Sequence, residues 1–127
     1  MICTFGALKF RRDFMKENLL VSLSKQFAID IINLCAEIKN KNILVNQLLR
    51  SGTGIGANIH EGNYASSRAD FVNKFQIALK ECYETDYWLE IFKETNIITD
   101  DDYKILFAKC SKIRKLLVSS ITTAKRQ

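Results

Sequence analysis

The stretch RSGTGIGANIHEGN, residues 50–63, contains Gly52-x-Gly54-x-x-Ala57, the spacing of a dinucleotide-binding glycine fingerprint. Its reading decides the fold. A phosphate-cradling loop needs a strand directly before it, a helix opening on it, and further βαβ units to build a sheet. Here NILV at 42–45 is the only candidate strand, NQLLRS separates it from the glycines, and no alternating β-branched run follows Gly56. The helical reading fits better: Leu44, Leu48, Ile55 and Ile59 form one stripe, with Gly52 standing at the missing position. Each of Gly52, Gly54 and Gly56 then costs about 0.8–1 kcal/mol against alanine inside a helix. That penalty is offset if small residues let neighbouring backbones approach closely. Gly52, Gly56 and Ile59 fall near one face and Gly54, Ala57, Asn58 and Glu61 near another. Bulky residues of the helices before and after are therefore expected directly on this backbone.

Working outward, residues 17–40 carry Leu20, Leu23, Phe27, Ile31, Leu34 and Ile38 at helical spacing, and Asn40-Lys41-Asn42 is a polar break. A second helix spans 43–62, closed by Gly62-Asn63. Ser67 to Asp70 reads as a capping-box variant opening a third helix over 67–96, whose stripe Phe71, Phe75, Ala78, Cys82, Thr85, Leu89 and Phe92 alternates steps of four and three. Val72, Leu79, Tyr83, Tyr87, Trp88 and Ile91 form a second apolar set, so this helix is expected to have partners on two sides. Thr99 and three aspartates cap a fourth helix over 100–123, with Tyr103, Leu106, Cys110, Ile113, Leu117 and Ile121 on its seam. Connections of a few residues imply antiparallel neighbours. The expected fold is all-α, an antiparallel up-and-down four-helix bundle over 16–124, with a basic tail at 125–127 and residues 1–15 as an N-terminal extension, disordered or not native.

Composition agrees. In 127 residues there is no proline and only five glycines, which favours long uninterrupted helices over a β domain. The N-terminus lacks the charge order of a secretory signal, and no run of about 18 apolar residues is found; a cytoplasmic protein without a membrane partner is expected. The cysteines at 3, 35, 82 and 110 form no C-x-x-C pair, so Cys35, Cys82 and Cys110 read as reduced core residues rather than metal ligands.

The motif R-S-G-T-x-I-G-A-N-I-x-E-G together with A-L-K-E-x-x-E-T-x-Y-W-L-E downstream, preceded by MKENLLVSLSKQFAIDIINL, resembles the four-helix-bundle proteins encoded by intervening sequences within bacterial 23S ribosomal RNA genes. The likeness covers residues 15–98 closely and the fourth helix more loosely. It implies self-association as a homopentamer, and, through a relative found in diversity-generating retroelements, association with RNA and with a reverse transcriptase. Gly54 and His60 depart from the family pattern, and the lone histidine reads as a solvated helix residue.

Arg50, Asn58 and Glu61, with Glu81 and Glu84 of the next helix, match polar positions of that motif. An interhelical network centred on Arg50 and Glu84 is expected, because a guanidinium satisfies a carboxylate in a planar two-pronged contact. A diiron or hydrolytic carboxylate site would need Glu-x-x-His pairs, which are missing. No catalytic residue, metal or cofactor is expected. From 103 to 127 there is no acid, while Lys104, Lys109, Lys112, Arg114, Lys115, Lys125 and Arg126 are basic. With a net charge of +5, this helix is the candidate surface for RNA; a solvated face or complementary charge between subunits competes with it. Function on this reading is non-enzymatic: an oligomer that binds nucleic acid, or a purely structural scaffold.

Overall fold

A computed structural model describes the backbone of residues 5–127 and the side chains of residues 11–127. Four helices follow one another: α1 (Phe5–Glu37), α2 (Asn42–Asn63), α3 (Arg68–Glu94) and α4 (Asp100–Arg126). Each packs on its neighbour in the chain, and α1 closes the bundle against α4. The connections are short because each is chemically marked. Asn40 and Asn96 adopt positive φ (63° and 61°), which asparagine tolerates better than other side-chain-bearing residues, and they turn the chain after α1 and α3. The Ser67 hydroxyl accepts from the Asp70 amide and the Thr99 hydroxyl from the Asp102 amide, each at 3.1 Å, so α3 and α4 open with an orphan donor satisfied.

The helical path of α1 begins at Phe5, earlier than the expected start at 17, and ends at Glu37 rather than 40. No break in the helix marks the expected boundary after residue 15. Residues 1–4, Cys3 among them, lie outside the described residues. The separate segment was expected because the family resemblance begins at Met15, and such a resemblance does not decide where a helix starts.

The core is a single cluster. Leu20, Phe27 and Ile31 of α1 meet Leu48, Ile55 and Ile59 of α2, Phe75, Ala78, Cys82, Leu89 and Phe92 of α3, and Cys110, Ile113 and Leu117 of α4, all at most 1% exposed. Val45 is buried where Leu44 was expected, a shift of one residue. The thiols are packing atoms: burial pushes Cys35 up to about 11, which keeps it protonated and inert.

The glycines of α2 sit inside the helix. A Cβ added at Gly52 would stand 3.0 Å from Ile31 of α1, one at Gly56 would stand 3.3 Å from the Ser24 carbonyl oxygen of α1, and one at Gly54 would stand 3.3 Å from the Glu81 carboxyl carbon of α3. Thus two faces of α2 are bare, one toward each neighbour. Gly62, expected only to stop the helix, is the tightest of the four. Its added Cβ would lie 2.7 Å from the buried Phe75 ring.

Candidate nucleic-acid interface

The basic residues of α4 divide by the direction each turn faces. Lys104, Lys115 and Arg126 are eleven residues apart, which is three helical turns, so they line one outward strip at intervals of about 16 Å. Lys112 lies beside that strip, and all four are exposed. Among the described residues none of these, nor Lys125, is in an ion pair. Two expected members are elsewhere. Lys109 faces α1, its ammonium 2.7 Å from Asp30 of that helix. Arg114 faces α3, donating to Asp86 Oδ2 at 2.8 Å and to Ser111 at 2.9 Å. Counting basic residues along the chain could not separate the two classes. A helical wheel could have done so, since 109 and 114 project about 100° away from the 104–115–126 line.

The Asp86–Arg114 pair is structural. Asp86 Oδ1 is buried without a partner, and burial, against the Cys110 and Arg114 interactions, pushes this carboxyl above its ordinary range. Between the unfolded and the raised folded value the folded chain holds the extra proton, so stability falls as pH rises through that window. Asp86→Asn should flatten this decline; unfolding free energies of the variant and parent, measured from pH 4 upward, check it.

The expected polar network is smaller than drawn. Arg50 reaches both Glu84 and, at 3.5 Å, Glu81 of α3, while Trp88 Nε1 donates to Glu84 at 3.3 Å. Asn58 stands outside this group, its amide donating to the Gly54 carbonyl of its own helix at 2.8 Å. Glu61 is likewise separate, 3.6 Å from Lys74. Arg50 is 55% exposed, so solvent screens its contribution. A buried contact missed in the sequence joins the same two helices: Thr85 Oγ1 donates to Ser51 Oγ at 3.1 Å, and Ser51 donates to the Leu48 carbonyl at 3.3 Å. Both residues are fully buried. The available signal was a polar residue on each apolar stripe. Thr85→Val should cost about 1 kcal/mol, more than Arg50→Ala, which should cost less than about 1 kcal/mol; the order of the two in urea unfolding checks which contact fixes α2 against α3.

Among the described residues no three of His, Cys, Asp or Glu converge as a metal-holding group. The outward strip of α4 can attract polyanions.

The sequence model of the family described as 23S rRNA-intervening sequence protein matches residues 16–119. Among solved structures, a protein with unknown function from the S23 ribosomal protein family of Bacteroides thetaiotaomicron VPI-5482 is similar to this chain at 45% identity and a TM-score of 0.81, covering 84% of this chain and 98% of that one. Among curated proteins no match is found.

Proposed function

The chain belongs to the 23S rRNA-intervening sequence protein family, and from that premise we propose that it is a self-associating bundle without chemistry of its own that binds RNA through the outward strip of α4. The observation that carries the reading is the unpaired, exposed line Lys104–Lys115–Arg126 with Lys112 beside it, on a helix with no acid after Asp102. Cations not neutralised by the protein are the ones available to displace counterions from phosphates.

Self-association is supported by apolar surface that the bundle leaves uncovered. An 18-residue window within residues 11–37 of α1 reaches a mean hydropathy of 1.4, enough by length and composition alone to cross a membrane. Within the bundle, Leu20, Phe27 and Ile31 turn this helix into the core, while Met15, Leu19, Ile29 and Ile32 stay 40–60% exposed. Such a strip is what a second copy would cover. In a pentamer, the number implied by family resemblance, five α4 strips would share one RNA, and weak contacts add through effective concentration.

A second reading, a structural scaffold, is favoured by Tyr83 and Tyr87, each 56% exposed on α3 near Glu90 and Glu94; a protein partner such as the reverse transcriptase suggested by resemblance would be basic and apolar there. Light scattering combined with a salt-titrated RNA shift assay tests the first reading. Binding should weaken steeply with ionic strength, and a salt-insensitive or absent shift by an intact oligomer would favour the scaffold.

A further inference from the structure

The α2–α3 connection, residues 13–21 of α1 and the end of α4 meet around a cavity of about 800 Å³ that the α4 strip runs toward. One wall is aromatic. His60 and Tyr64 lie with ring centroids 5.2 Å apart, and Tyr64 is 80% exposed, a large flat ring held at the mouth with little protein over it. Another wall contains the Ser120 hydroxyl, only 5% exposed, lining the cavity and lacking a hydrogen-bond partner among the described residues. A buried hydroxyl left unpaired is costly unless something else satisfies it. Arg68 is also in the lining, while the α1 side carries Asp13 and Glu17 with Lys16 between them.

These charges restrict what can enter. Two acids and two bases balance in the lining, so an uncharged group fits inside, while anionic parts are drawn to Arg68 and the α4 strip. Gln127, directly after Arg126 of that strip, is itself part of the lining. A polar, flat, uncharged group attached to a phosphate chain is a nucleobase. We propose that the cavity takes one unstacked base of a single-stranded RNA whose phosphates lie along Lys104, Lys115 and Arg126, with Tyr64 as the stacking platform. The proposal rests on the RNA reading above and adds to it a strand preference and a base site. Duplex RNA, whose bases are already stacked, cannot use it.

The test uses the full-length chain and a short single-stranded RNA carrying 2-aminopurine. Binding of the parent should change the 2-aminopurine fluorescence. Tyr64→Ala should abolish that change and lower affinity about tenfold, with the salt slope and the melting temperature unaltered, whereas Tyr64→Phe restores both signals. Equal affinity of Tyr64→Ala and parent, or equal affinity for single strand and duplex with silent fluorescence, would overturn it. NMR titration with adenosine monophosphate separates this site from the α4 strip. Shifts confined to His60 and Tyr64 in a protein that binds no RNA would keep the base site and remove the strip; no shift there together with no fluorescence change removes the base site.

Discussion

Gly62→Ala should destabilise the bundle by about 1–3 kcal/mol, although alanine is the better helix former by about 0.8–1 kcal/mol. The sign is set by what the new methyl meets. At Gly62 it meets two atoms of the Phe75 ring at 2.7 Å. That ring is fully buried and stacks on Phe71 with centroids 4.1 Å apart, so it cannot swing aside without disturbing the core. Gly54→Ala makes the opposite case. Its nearest neighbour is the Glu81 carboxyl at 3.3 Å, the end of a jointed side chain that can yield a few tenths of an ångström. Helix propensity then dominates, and Gly54→Ala should gain up to about 1 kcal/mol. Urea midpoints of the two variants should move in opposite directions from the parent. Equal shifts would mean that backbone propensity alone governs α2, and that close packing is not why its glycines are there.

Reversing Lys112 and Lys115 together to glutamate should weaken RNA binding on the order of a hundredfold near 0.1 M salt. Each cation that touches a phosphate contributes about 0.7 to the logarithmic salt slope on a single strand, so losing two should flatten that slope by about 1.4. Among the described residues neither lysine is in an ion pair, so the fold should melt as before. The control is Lys39→Glu with Lys41→Glu, exposed residues of the α1–α2 connection and outside α4, which changes net charge equally. If the two double variants lose affinity alike, attraction is diffuse and no strip exists. If Lys112 and Lys115 reversal instead splits the oligomer in light scattering, the strip is a contact between copies.

Local chemistry made the scaffold readable. The caps at Ser67 and Thr99 and the turns at Asn40 and Asn96 are short-range features, decided by residues within one helical turn, and they stand where the sequence placed them. The seam from Phe71 to Phe92 was equally legible, since six of its seven members are buried and Phe71 partly so. Long-range pairing was not. Nothing within a turn of Lys109 or Arg114 announces Asp30 or Asp86, which are 79 and 28 residues away. The same holds for Ser51 and Thr85, 34 residues apart. Gly62 illustrates both sides: its place at a helix end was visible, but its obligation to Phe75 depends on how α2 and α3 lie together. Tyr64 was passed over because a tyrosine in a short connection carries no periodic signal.

The order in which the helices touch has a kinetic corollary. Three of the four seams join helices consecutive in the chain, and only the α1–α4 seam must bring distant segments together. A topology so rich in local pairing should collapse hairpin by hairpin within milliseconds. The closing seam costs the most chain entropy to form and should be the first to breathe in hydrogen exchange. Opening there would free α1 along its apolar length, so exchange between free copies and the proposed oligomer should run through that one door.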